Sequence, residues 1–175
     1  ISLELFFLNS LKKRLTLGSP KYIISSQLIN GVCEMAYMNQ EKKSKIAAAL
    51  KPILKKYGVK GTLSVRNHST ICLTLKSGNI DFIENFIKTD IDSPVARKMS
   101  QDQIDYLRRN RNMDVNPYWF QEHFSGVAKE FLSEAFQALK AADWYDESDA
   151  QTDYFNTAYY VDLNIGKWNK PYELV

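Results

Sequence analysis

Four consecutive residues, Arg66, Asn67, His68 and Ser69, place a cation, an amide, an imidazole and a hydroxyl in one short link. A guanidinium grips an oxyanion through paired N–H donors and an imidazole titrates near neutrality, so the group has the parts of a phosphate clamp, or of a general base beside an anion site. The same residue types also satisfy local backbone groups in an ordinary polar turn, and the sequence leaves both readings open. A second set is acidic: Asp143, Asp146, Glu147, Asp149 and Asp153 offer oxygen ligands for a hard cation. Their spacing lacks the turn glycine of a calcium loop, and Ser148 or Asp149 capping a turn toward Asp153 accounts for them without a metal. His123 has no second His or Cys at ligand spacing and reads as a boundary residue of a helix. Neither a metal site nor a cofactor is therefore expected. Tyr118, Trp119, Tyr154, Phe155, Tyr159 and Tyr160 can stack bases beside a basic surface or fill a core. The patterns G-x-x-x-x-G-K, G-x-G-x-x-G, H-E-x-x-H and G-x-S-x-G are absent, which removes the commonest nucleotide, protease and esterase chemistries.

These residues must be positioned by elements whose periods are legible. Asn39 caps a helix in which Ile46, Ala49, Leu50, Ile53, Leu54 and Tyr57 recur at three- and four-residue steps, with lysines opposite. Gly58 stands where a left-handed residue ends it, while Pro52 deletes a donor and is expected to kink or divide it. Val59, Gly61, Leu63 and Val65 alternate, as do Ile71, Leu73 and Leu75, and the Asn67-His68 link predicts an antiparallel hairpin. Ile80, Phe82, Ile83, Phe86 and Ile87 suggest a strand passing into a short helix, and Thr89 to Met99 reads as a loop. Ser100 and Gln103 form a capping-box pattern opening a helix to about Arg111. Asn116-Pro117 is expected to open the longest helix, with Phe120, Phe124, Val127, Ala128, Phe131, Ala135 and Leu139 as its apolar stripe. After the acidic loop, Tyr159, Val161, Leu163 and Ile165 alternate as a third strand beside the hairpin, with Trp168, Pro171 and Tyr172 packing back over the sheet edge. The fold class is α+β: a small antiparallel sheet of about three strands against a long helix of the C-terminal half and an N-terminal basic helix.

The chain has 175 residues, 45% of them hydrophobic and 25% charged, which fits one globular domain and no disorder. The run Leu5 to Leu8 is too short to cross a bilayer, and Lys12, Lys13 and Arg14 follow it where a secretory signal has its charges in front. No membrane partner is expected, and a cytoplasmic location follows by default. Cys33 and Cys72 form no C-x-x-C and read as reduced structural thiols. The chain begins with Ile; Ile1 to Leu17 can form a short amphipathic helix that Gly18, Ser19 and Pro20 stop, Lys21 to Glu34 shows little coherent period, and codons for Gly31 and Val32 can carry a ribosome-binding sequence before Met35. The expectation is a leader over 1–34 and one domain over 35–175. Deleting 1–34 should then leave Tm nearly unchanged. The net charge of +3 conceals a gradient: from Lys42 to Ile80 there are nine basic residues and no acid, whereas from Asp143 onward seven acids face two lysines. Either the two halves complement each other within the fold, or the basic half meets a polyanion.

Several strings resemble one family. Lys56-Tyr57-Gly58-Val59-Lys60, Ser64-Val65-Arg66-Asn67-His68-Ser69-Thr70, Lys76-Ser77-Gly78, Ile80-Asp81-Phe82, Val115-Asn116-Pro117-Tyr118, Asp149 with Thr152-Asp153-Tyr154-Phe155, Tyr160-Val161-Asp162, Asn164-Ile165-Gly166 and Trp168 with Lys170-Pro171-Tyr172 are similar to large polyvalent protein-associated domain 29, over about Met35 to Leu174. The resemblance implies an accessory domain of phages, prophages and other mobile elements, here as a stand-alone copy, and carries no assigned activity. Thr89 to Arg111 is longer than that family leads one to expect.

The leading expectation is a non-enzymatic domain that binds nucleic acid or a host protein through the hairpin tip and the lysine-rich helix. Its binding candidates are Arg66, Asn67, His68, Ser69, Lys56, Lys60, Lys76 and Tyr154. The rival is a small hydrolase or nuclease-like enzyme with His68 as base, Arg66 as anion clamp, and Asp149 or Asp153 orienting the base or holding a metal; it requires hairpin tip and acidic loop to meet in one pocket. A third reading pairs the basic and acidic halves between subunits, and salt-sensitive dimerisation tests it. The sequence does not specify an oligomeric state.

Overall fold

A computed structural model describes residues 36–93, 98–149 and 151–175. The leader expected over 1–34 and residues 94–97 of the Thr89–Met99 loop lie outside them.

Helix α1, Gln40–Lys56, opens as expected: the Asn39 side chain accepts from the Lys42 N–H at 2.8 Å. It runs through Pro52 undivided, because Pro52 and Ala48, whose carbonyl loses its donor, both lie on the exposed side where water can serve. At the other end the Val59 N–H reaches the Leu54 carbonyl and the Gly58 N–H that of Lys55, a complete Schellman closure with Gly58 at φ +63°. A Cβ on Gly58 would lie 2.5 Å from the Asn79 side chain, so the site excludes other residues on two counts.

Strands β1, Lys60–Arg66, and β2, Thr70–Gly78, form the expected antiparallel hairpin. Asn67 and His68 both have positive φ, which matches the right-handed twist of the flanking strands. Helix α2 is Phe82–Asp92, capped by Asp81. Residues 89–92, expected as loop, are therefore helical; the buried Asp90 accepts from the Met99 N–H at 2.9 Å and draws the chain back. Helix α3, Gln101–Asn110, starts with both halves of the Ser100/Gln103 capping box in place. Strand β3 is Met113–Val115.

The expected long helix is broken. It consists of α4, Phe120–His123, and α5, Gly126–Leu139, separated by extended backbone at Phe124 and Ser125. The Asn85 amide of α2 clasps the break: its oxygen accepts from the Ser125 N–H at 3.0 Å and its nitrogen donates to the Ser125 carbonyl at 3.2 Å. The apolar stripe survives the break, with Phe120, Phe124, Ala128, Phe131, Ala135 and Leu139 all buried, but Val127 is turned out to 55% exposure.

Strands β4, Tyr160–Ile165, and β5, Glu173–Leu174, complete a five-stranded sheet of order β1-β2-β4-β3, with β5 beside the end of β2. The α+β class holds, but the sheet is mixed: β4 and β5 run parallel to β2, while β1 and β3 pair antiparallel to their neighbours. Alternation gives a strand's faces and not its direction. Here the connection from β2 to β4 carries all of α2 to α5, as a parallel crossover requires a long return.

The helices share one core with Ile71, Leu73, Leu75, Val115, Leu163 and Ile165, one face of the sheet. Rings link the layers in a chain, Tyr57–Phe131 at 5.4 Å, Phe131–Phe82 at 5.4 Å and Phe82–Tyr172 at 5.6 Å, each adding about 0.5–1.5 kcal/mol beyond its burial. Tyr172 packs back over the sheet as expected; Trp168 does not, and is 81% exposed.

Candidate functional site

Because side chains alternate across a sheet, the residues between the core positions form the opposite face. The register places Ser64 beside Cys72 and Cys72 beside Asp162, then Thr62 beside Thr74, Thr74 beside Asn164 and Asn164 beside Asp114. This face is polar, and its Cys72, although only 5% exposed, stands outside the hydrophobic core. Arg66 forms an ion pair with Asp162 above it, and the Cys72 Sγ donates to the same carboxylate at 3.6 Å. Burial and the neighbouring Asp162 charge push the Cys72 thiol above its ordinary range, so it stays a thiol. Asn164, with its amide nitrogen turned toward them, donates to the Leu163 carbonyl at 3.1 Å and to Asp114 at 2.8 Å.

Two grooves open on this face, and no described helix lines either. One, of about 530 Å³, is lined by Ser64, Arg66, Thr74, Asp114, Asn164 and Trp168 among others. The second, of about 650 Å³, gathers Lys60, Lys76, Lys167 and Lys170 with a single carboxylate, Glu173. None of the four lysines forms an ion pair among the described residues. Lys167 belongs to both grooves.

The loop that carries Lys167 to Lys170 is fixed. Lys167 and Lys170 exchange backbone hydrogen bonds at 2.8 and 3.0 Å, so Trp168 and Asn169 form a closed two-residue turn. Before it, Gly166 at φ +65° lies so close to the Arg111 carbonyl and the Tyr172 N–H that a Cβ would come within 2.6 and 2.7 Å of them. After it, Arg111 accepts from the Tyr172 N–H through its carbonyl, and its guanidinium donates to the Tyr172 carbonyl and to Asp81.

No family model, curated protein or solved structure matches this chain.

The residues singled out in the sequence fall in different places. Lys60, Lys76 and Arg66 reach the two grooves. Asn67 and His68 are exposed at the hairpin tip, which is held to the chain's earlier segment by the Met38 N–H donating to the His68 carbonyl at 2.7 Å. The Ser69 carbonyl accepts from the Tyr160 N–H and serves the sheet. Lys56 is drawn away to the helical layer, where it and the Tyr57 hydroxyl both donate to Glu134; the Lys56 hydrogen bond holds that carboxyl below its usual range. Lys45 contacts Glu41 and Asp143. The basic and acidic halves thus meet within the fold at Lys45–Asp143 and Arg66–Asp162, while the groove lysines stay uncompensated.

His68, Asp149 and Asp153 line none of the three grooves described, and no hydrogen bond joins them. Asp149 closes a turn, accepting from the Gln151 N–H at 2.9 Å and the Thr152 hydroxyl at 3.1 Å. Among the described residues no three His, Cys, Asp or Glu side chains converge as a metal ion would require. Of the six aromatics considered for stacking, Tyr159 is core, whereas Tyr118, Trp119, Tyr154, Phe155 and Tyr160 are exposed. Tyr118, Phe155 and Tyr160 line a third groove, of about 430 Å³, with Trp144, whose ring carries the Lys140 ammonium at 3.7 Å. No described helix is long and apolar enough to cross a membrane.

Lys167, Lys170 and Trp168 are the site residues that sequence reasoning missed. The two lysines fall in the acidic tail by position and Trp168 reads as a packing residue of the sheet edge; the signal that sets all three apart is the local string Gly166-Lys167-Trp168-Asn169-Lys170, a turn with two cations and an aromatic residue.

Proposed function

We propose that this domain is a non-enzymatic nucleic-acid-binding module that uses the polar sheet face and its grooves. The supporting observation is the groove of Lys60, Lys76, Lys167 and Lys170 with only Glu173 to oppose them. Four like charges around one concavity repel each other, and a row of phosphates relieves that repulsion while releasing its own counterions. An accessory role in a phage or other mobile element, in the host cytoplasm, is proposed with it on the strength of the family resemblance.

Fluorescence anisotropy of a labelled oligonucleotide across a salt series tests the reading. Four lysine–phosphate contacts predict a slope of log K against log salt of about −3, and K60A with K76A should flatten it by about 1.4. Binding that is indifferent to salt, or unchanged in the double variant, would remove the proposal. A host protein, the other partner class expected from the sequence, would leave the oligonucleotide unbound.

A further inference from the structure

We propose that the nucleic acid taken by this face is single-stranded, with its phosphates along the lysine groove and an unpaired base stacked on Trp168; this rests on the nucleic-acid reading above. Trp168 is 81% exposed and stands at the tip of a turn whose two flanking residues, Lys167 and Lys170, belong to the lysine groove. Both backbone hydrogen bonds of the turn are made, and Gly166 is wedged against Arg111 and Tyr172, so the indole is presented on a rigid mount and little order is lost when a ligand docks.

The two grooves divide the chemistry of a nucleotide between them. The lysine groove suits phosphate. The groove beside it, which Trp168 lines, presents Ser64, Thr74, Asn112, Asp114 and Asn164, while its Arg66 is committed to the ion pair with Asp162. A set of hydroxyls, amides and a carboxylate is unsuited to a phosphate but matches the donor and acceptor edges of a base. Lys167, shared by both grooves, sits at the junction where backbone and base part.

Strand state follows from access. In a duplex each base has its faces covered by its neighbours and its pairing edge by its partner, so an exposed aromatic platform beside a groove that reads the pairing edge calls for an unpaired base. The described helices commit their apolar sides to the core on the far side of the sheet, and among the described residues this face offers strands and a short turn, with no projecting helix to enter a major groove.

The experiment compares one oligonucleotide of about 12 nucleotides, within the range of known single-strand sites, free and annealed to its complement, against the wild-type chain, W168A and W168F. Trp168 is solvent-exposed, so neither variant threatens the fold. The expected result is at least about tenfold tighter binding of the single strand. W168A should lose about fivefold or more on the single strand, with an unchanged salt slope and unchanged duplex binding, and W168F should retain most of the affinity. Equal affinity for both strand states, or W168A binding like wild type, with the lysine-dependent salt slope intact, overturns the single-strand inference and leaves the lysine groove in place. Binding of neither form overturns the nucleic-acid reading and this inference with it.

Discussion

Two buried tyrosines make opposite predictions from the same side chain. Tyr159 donates its hydroxyl proton to the Leu139 carbonyl at 3.0 Å, whereas the Tyr172 hydroxyl is enclosed with no hydrogen-bond partner among the described residues. Tyr172 is 1% exposed, so this oxygen has been taken from water without compensation. Tyr172→Phe should therefore raise stability by about 1 kcal/mol, and Tyr159→Phe should lower it by a similar amount, both read from urea midpoints. Burial also pushes the Tyr172 phenol up from 10 to about 12. The folded chain thus keeps a proton that the unfolded chain releases above about pH 10, and the stability held by that difference is complete below pH 10 and lost as pH rises toward 12. Thermal melts across that window should show a fall in Tm that is shallower in Tyr172→Phe, since Tyr159, raised in the same direction, still titrates.

At the scale of elements, two departures from the expected helices are testable. Pro52 sits inside α1 on its exposed side, so Pro52→Ala should restore the bond to the Ala48 carbonyl and stabilise the protein by about 1–3 kcal/mol with no change in m-value. Asn85→Ala should cost about 1 kcal/mol, because it removes both hydrogen bonds by which the Asn85 amide holds Ser125 at the break between α4 and α5. These sites also show where sequence reading succeeds. Asn39, Gly58 and the Ser100/Gln103 pair act on backbone groups within a few residues, so their consequences are written locally. The break at Ser125 is enforced by a residue 40 positions earlier, and no helical period reveals that. The direction of β4 was hidden for the same reason: Val161, Leu163 and Ile165 present the same face whether the strand runs up or down.

Across the whole molecule, charge is arranged by pairing. The basic stretch is partly neutralised by partners remote in sequence, Lys56 by Glu134 and Arg66 by Asp162; of its lysines without an ion pair among the described residues, Lys42, Lys43, Lys51 and Lys55 lie on α1, while Lys60 and Lys76 join Lys167 and Lys170 in the lysine groove. The candidate site was half legible because Lys60 and Lys76 stand out in an acid-free run, while the platform that completes it lies some hundred residues later in a segment whose overall charge is negative. Its polar floor was illegible as a unit, since Ser64, Cys72, Asn164 and Asp114 come from four strands that only the sheet order brings together. That order has a consequence for synthesis. Strand β2 borders β1 on one side and receives β4, then residues 173 and 174, on the other. A nascent chain still held in the ribosome beyond β3 carries a hairpin whose inner edge is bare, and it depends on chaperones or on speed to avoid foreign strands until β4 and residues 173 and 174 emerge.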